Sequence, residues 1–371
     1  MRTRVRDRSA KFAVLLATWS VIGAVACSSG GDTVSSPIGS SAVAVPSGAA
    51  APSTSQTSAT GPVVAAVGDL VCAFGAAPPP SHASAAEHGH CKPGAVASLV
   101  KKGSYDAFLP LGDLQYSYGG YWRYVKYWDR YYGPVKDITR PVAGNHEAYN
   151  GLFLGYYKYF GKRAHPPGGY YSFDLGDWHV MALNSQMCRA KAWGVRTHLN
   201  SPETITGHTR WQHIPRDGCQ PGDPMYRWAQ RDLKAHSDAT CTLALFHHPY
   251  YRWYGKALFN PNADVAPLWK LLDDSGVDVA LNGHQHNYQR YVPMDSSGNA
   301  DPNGMAEFVV GTGGDSYQPL PKTTQPDVLA SVETGTYGIL KLTLNPGAYD
   351  YEFVPIPGDP PFADSGTGMC H

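Results

Sequence analysis

The sequence predicts an α/β fold with largely parallel strands. Two observations carry that expectation. Short apolar, β-branched runs alternate with stretches of helical apolar spacing through most of the chain beyond Pro62. Five of those runs also stop at an Asp, Asn or His flanked by Gly or Pro, as when strands deliver polar groups to one carboxyl edge of a sheet.

The elements follow in chain order. Residues 1–26 read as an export signal: Arg2, Arg4, Arg6, Arg8 and Lys11 oppose only Asp7, and the apolar run from Phe12 to Ala26 is too short to span a membrane comfortably. The run closes on Ala24-Val25-Ala26-Cys27 and resembles a bacterial lipoprotein signal, which implies Cys27 as the lipidated first residue. Residues 27–61 are mostly Ser, Ala, Gly, Pro, Val and Thr with Asp32 as the single charge, and read as a flexible tether. Residues 62–371 form one expected domain. The protein is therefore expected at the cell surface or secreted, touching a membrane only through a lipid anchor at Cys27.

Within the domain, Val63 to Val67 stops at Gly68-Asp69, and Phe108 to Leu111 at Gly112-Asp113-Leu114-Gln115-Tyr116. Pro141 to Ala143 stops at Gly144-Asn145-His146-Glu147. Val180 to Leu183 leads into a long segment between Cys188 and Cys219 without clear periodicity, expected to leave from the same edge and wall a pocket. Met225 to His236 and Ala266 to Ser275 carry apolar residues at helical spacing, with Trp228, Leu233, Trp269 and Leu272 as expected core. Leu243 to Phe246 stops at His247-His248-Pro249, and Val277 to Leu281 at Asn282-Gly283-His284-Gln285-His286.

Each end has an ordinary explanation when taken alone. An Asp after a strand commonly caps a helix, an Asn suits a left-handed turn, and a His can be satisfied by backbone. Five such coincidences at the same relative position favour metal ligation instead. The balance of 30 basic and 30 acidic residues argues against a general nucleic-acid binder.

The order Gly-Asp, Gly-Asp-x-x-Tyr, Gly-Asn-His-Glu, His-x-Pro, Gly-His-x-His resembles the calcineurin-like metallophosphoesterases, and the Tyr resembles the purple acid phosphatases among them. The resemblance implies a sandwich of two mixed β-sheets flanked by helices, with a dimetal site at the strand ends. It implies that Asp69, Tyr116 and His286 hold one metal, that Asp113 bridges, and that Asn145, His247 and His284 complete the second. Fe(III) with a divalent Zn, Fe or Mn ion is implied by the tyrosine, whose phenolate is a hard ligand. Two ions about 3.5 Å apart suit hydrolysis of phosphate esters, with His146 as proton donor to the leaving group. The sequence departs from the pattern at Val71, where Gly or His is frequent, and "YYRWYGKALFN" lacks the further catalytic histidine of plant and animal members. Tyr288 and Arg290 suit either a phosphate contact or a brace.

A small-molecule phosphomonoester is the expected substrate. A phosphodiesterase or nucleotidase uses the same core, and a metal-binding surface lipoprotein without turnover is the alternative from another class. The seven cysteines leave six if Cys27 is lipidated, which allows fifteen connectivities. We expect Cys72 with Cys91, Cys188 with Cys219 and Cys241 with Cys370, the first two closing local loops and the last fixing the C-terminus.

Overall fold

A computed structural model describes residues 61–72, 91–149, 152–188, 218–254 and 261–371, and the strands Val195–His198 and Thr209–Gln212. The expected export signal, Cys27 and nearly all of the tether lie outside the described residues.

Two mixed sheets form the body. In the first, β1 (Val63–Val67) lies between β2 (Ala107–Pro110), parallel to it, and β12 (Gly338–Asn345), antiparallel; β13 (Ala348–Pro355) and β14 (Ser365–Met369) continue outward. The second runs in the order β11 (Leu329–Glu333), β9 (Tyr288–Tyr291), β10 (Ala306–Val310), β8 (Val279–Asn282), β7 (Cys241–Leu245), β4 (Trp178–Ala182), β3 (Tyr171–Leu175). Its centre, from β4 through β7 and β8 to β10, is parallel. The parallel expectation thus holds for the centre of the second sheet and for the β1–β2 pair, while antiparallel strands complete both sheets.

Side-chain alternation divides the core. Leu243 and Leu245 face the interior shared by the sheets, with Val64, Phe108, Leu281 and Leu340. Ala244 and Phe246 face the opposite side with Leu268, Trp269 and Leu272, the apolar stripe of the helix Ala266–Asp274. Burying each large side chain contributes about 1.5–3 kcal/mol. A helix not anticipated from the sequence, Pro93–Lys102, buries Pro93, Val96, Ala97 and Val100 at positions i, i+3, i+4 and i+7.

Three expectations need correction. Pro141 to Ala143 is no strand: the isolated bridges Phe108↔Thr139 and Leu111↔Val142 bring it alongside β2, and Pro141 has no N–H to extend a ladder. The segment after Cys188 includes an antiparallel pair, β5 (Val195–His198) and β6 (Thr209–Gln212). Trp228 is partly rather than fully buried, its ring 5.1 Å from that of Tyr170. The expected disulfides Cys72–Cys91, Cys188–Cys219 and Cys241–Cys370 are all formed.

Candidate metal centre

The strand ends approach one another through unusual backbone. Asp69 (φ 60), Asp113 (φ 49) and His284 (φ 71) all lie in the left-handed region, a conformation that costs a non-glycine residue about 1–2 kcal/mol. Glycines make the approach possible. A Cβ on Gly112 would stand 2.5 Å from His247 Nδ1, and one on Gly144 would stand 2.2 Å from Asp113 Oδ1. Side chains at these positions would push the strand ends apart.

Seven donors expected from the sequence come together in two adjoining groups. In the first, Tyr116 Oη donates to Asp69 Oδ1 at 2.7 Å and lies 3.0 Å from His286 Nε2, which is itself 3.2 Å from Asp69 Oδ1. In the second, His247 Nε2 lies 3.2 Å from Asp113 Oδ2, 3.3 Å from Asn145 Oδ1 and 3.2 Å from His284 Nδ1. Asp113 stands between the groups, since Tyr116 Oη also donates to its Oδ2 at 3.2 Å.

The tautomers decide what this arrangement suits. His247 Nδ1 lies 2.8 Å from the Leu111 carbonyl and His286 Nδ1 lies 2.8 Å from the Ser316 carbonyl. A carbonyl only accepts, so both Nδ1 atoms are protonated and each Nε2 lone pair is turned toward carboxylates. Lone pairs facing carboxylates require a cation or a proton between them. Burial opposes a charge on His247, but Asp113 outweighs it and pushes the imidazole up to about 9. Asp69 outweighs burial in the same way and pushes His286 up to about 9. Burial and the charge of His247 lower His284 to about 3, leaving it neutral. Burial, with Asp113 and Asp69 beside it, holds the Tyr116 phenol well above its ordinary value. A carboxylate, phenol, amide and imidazole set with orienting carbonyls behind the imidazoles is a donor set that fits two metal ions.

His146 flanks this centre. Its backbone N–H donates to Asp113 Oδ1 at 2.8 Å and its Nδ1 donates to the Ser117 carbonyl at 2.6 Å. Its Nε2 is then left 3.8 Å from Asp113 Oδ2, at the margin of the donor set.

Sequence reasoning missed the supports. Fully buried Glu147 accepts from the backbone N–H groups of Gly144 (2.8 Å), Asp113 (2.8 Å) and Leu114 (3.0 Å) and from Tyr124 Oη (2.8 Å). Burial and the Asp113 carboxylate push Glu147 up to about 7, while the hydrogen bonds from Gly144 and Tyr124 favour the charged form. Buried Glu307 accepts from the N–H groups of Tyr250 (2.8 Å) and Tyr251 (2.9 Å), and Gln289 accepts from that of Trp253 (2.9 Å). These three residues fix the segments that carry Asp113 and His247. The spacing of Glu147 from Gly144, three residues into a helix start, was the one signal in the sequence. His248 is held by Ser185, whose Oγ lies 2.9 Å from its Nδ1 and accepts from its N–H at 2.9 Å. Tyr288 and Arg290 serve as braces: both reach Asp364, Arg290 through two hydrogen bonds of 2.8 and 2.9 Å. Val71, fully buried, continues the line of β1 through a bridge to Gln115.

Comparison with known proteins bears on this geometry. The family model described as calcineurin-like phosphoesterase matches residues 63–288, from β1 to the segment after the His284–His286 pair. The chain belongs to the calcineurin-like phosphoesterase family. Within that family it is 24% identical over 293 residues to the human protein named acid phosphatase type 7, covering 70% of this chain and 60% of that one. It is 26% identical over 229 residues to purple acid phosphatase 18 of Arabidopsis thaliana, covering 57% and 44%. The chain thus spans less than two thirds of the length of these relatives. The structure of purple acid phosphatase PPD1 from yellow lupin seeds superposes with a TM-score of 0.56 at 20% identity, covering 83% of this chain and 53% of that one. GAP50, described as the anchor in the inner membrane complex of Plasmodium, superposes with a TM-score of 0.55 at 12% identity, covering 84% and 90%. At these identities the structural likenesses establish the fold, two mixed sheets flanked by helices.

Proposed function

We propose that the protein is a dimetal phosphomonoesterase of the purple acid phosphatase type, acting outside the cytoplasm. The observation that carries this reading is the two-group convergence of Asp69, Asp113, Tyr116, Asn145, His247, His284 and His286, with the tautomers of His247 and His286 fixed by carbonyls. Asp69, Tyr116 and His286 would hold one ion, Asn145, His247 and His284 the other, and Asp113 would bridge. Fe(III) suits the site containing Tyr116 and Zn, Fe or Mn the other. When bound, such a pair supplies Lewis acidity and an activated water for attack on phosphorus.

The chain's own residues supply the rest. Glu147 fixes the Asp113 turn, and the hydrogen bond from His146 Nδ1 to Ser117 leaves Nε2 directed at the centre, where the doubly protonated ring would give its Nε2 proton to a departing alkoxide. A phosphodiesterase or nucleotidase would use the same groups. Export is supported by pairing of all six described cysteines in disulfides, bonds that persist in oxidising compartments. Among the described residues no helix is long and apolar enough to cross a membrane. Lipidation at Cys27, the signal over 1–26 and the tether over 27–61 belong to the same proposal.

The test is release of nitrophenol from mono- and bis-nitrophenyl phosphate by metal-replete protein, with and without chelator. Chelator-sensitive hydrolysis of the monoester is expected to dominate. Preference for the diester would move the reading to a phosphodiesterase. Hydrolysis of neither would favour a metal-binding surface protein.

A further inference from the structure

Beside the candidate metal centre is a small pocket lined by Ser185, His248, Arg252, Asn262, Asp264, Val265 and His284. Six of these side chains are polar. His284 belongs to both places, with Nδ1 near His247 and its ring also part of the pocket wall. A molecule bound at the metal centre through a phosphate can therefore extend past His284 into this space.

The pocket is a built one. Asn262 donates from its backbone to the Tyr250 carbonyl (2.8 Å) and from Nδ2 to the Pro249 carbonyl (3.3 Å), and its Oδ1 accepts from Asp264 N–H (3.2 Å). Arg252 is held between two clamped neighbours. Glu307 fixes Tyr251, Gln289 fixes Trp253, and both neighbours are buried while Arg252 is partly exposed along the pocket wall. The backbone that carries Arg252 is thus fixed, and its guanidinium offers a planar fork of donors that matches a carboxylate. Asp264 on the same wall opposes an anion and limits how strongly one is held.

We infer that Arg252 is a specificity-determining residue that receives a carboxylate on the leaving-group side of the substrate, so that the preferred esters are phosphorylated hydroxy acids. This inference rests on the phosphomonoesterase reading and adds a substrate class to it.

The test compares two esters of the same length, 3-phosphoglycerate and glycerol 3-phosphate, which differ by the carboxylate. In the metal-loaded wild-type protein kcat/KM should favour 3-phosphoglycerate. In Arg252→Gln the ratio should fall roughly 10- to 100-fold, the range of a charged hydrogen-bonded pair, and mainly through KM. In Asp264→Asn the ratio should rise, because an opposing charge has gone. The opposite directions separate the proposal from loss of folding, which would not raise a ratio. An unchanged ratio in both variants, with both esters still hydrolysed, would overturn the role of Arg252 and leave the phosphatase reading in place. Failure of the wild type to hydrolyse either ester or nitrophenyl phosphate would overturn both.

Discussion

Replacing Glu147 by Gln tests whether one buried carboxylate holds the bridging Asp113 in place. Its Oε2 accepts from Gly144 and Asp113 and its Oε1 from Leu114, Gln115 and Tyr124. Gln keeps the shape but can accept at only one of these two positions. In either amide orientation at least two buried donors then face an NH2 group. Each unmet donor costs about 1–3 kcal/mol, so the unmet donors by themselves cost roughly 2–6 kcal/mol out of a typical total of about 5–15 kcal/mol, offset in part because Gln also removes a charge that burial and Asp113 oppose. The measurement is urea unfolding at pH 8, above the value of about 7 for Glu147, where the carboxylate is charged. Metal content should fall in parallel, because Asp113 takes its position from the same clasp. Tyr124→Phe provides the control: it removes one donor, and its cost should shrink when made in the Glu147→Gln background. Wild-type metal content with an undiminished cost of Tyr124→Phe in the Glu147→Gln background would refute the clasp, since the two side chains would then act independently.

Three further outcomes are expected. Asp113→Ala should deplete both metals while Asn145→Ala mainly weakens one, and equal metal content in the two purified variants would remove Asp113 as the bridge. Oxidised, iron-loaded protein should show a visible charge-transfer band that disappears in Tyr116→Phe with iron retained; a colourless wild type holding Fe(III) would exclude the phenolate. Away from this centre, His179 donates from Nδ1 to Asp174 (3.0 Å) and from Nε2 to Asp232 (2.9 Å), and stacks on His236. Burial opposes its charge, but hydrogen bonds to the two carboxylates outweigh it and raise its pKa. The stability this confers is complete below about pH 6.5 and is lost as pH rises through the raised value. Urea midpoints of the wild type should therefore fall relative to His179→Gln above neutral pH, and parallel curves would show that His179 is uncharged.

The ligand-bearing positions were legible because a glycine or proline beside a polar residue at a strand end is a local signal. Asp69, Asp113, Asn145, His247 and His284 all carried it. Other features depend on distant partners. Glu307 lies in a strand covered on both faces, and nothing in "MAEFVV" indicates that Tyr250 and Tyr251 stand above its carboxylate. The pocket around Arg252 is assembled from residues 185, 248, 252, 262, 264, 265 and 284, four separate segments without a common motif. Trp228 was expected fully buried from helical spacing, which gives the face but not how far the neighbouring surface reaches. Pro141 to Ala143 had apolar content suited to a strand, and the missing N–H of Pro141 was the evidence against one.

The division of donors between the sheets links ion binding to mechanical integrity. Asp69 follows β1 in one sheet and His286 precedes β9 in the other, and the same holds for Asp113 after β2 and His247 after β7. Each ion would thus act as a rivet through the seam, alongside hydrogen bonds such as that from Gly68 N–H to the Val310 carbonyl at 2.8 Å. Occupancy then adds RT ln(1 + [M]/Kd) to the work of parting the layers. Stripping the ions should accelerate deuterium uptake at the Gly68 amide before strands remote from the seam, such as β13, begin to exchange.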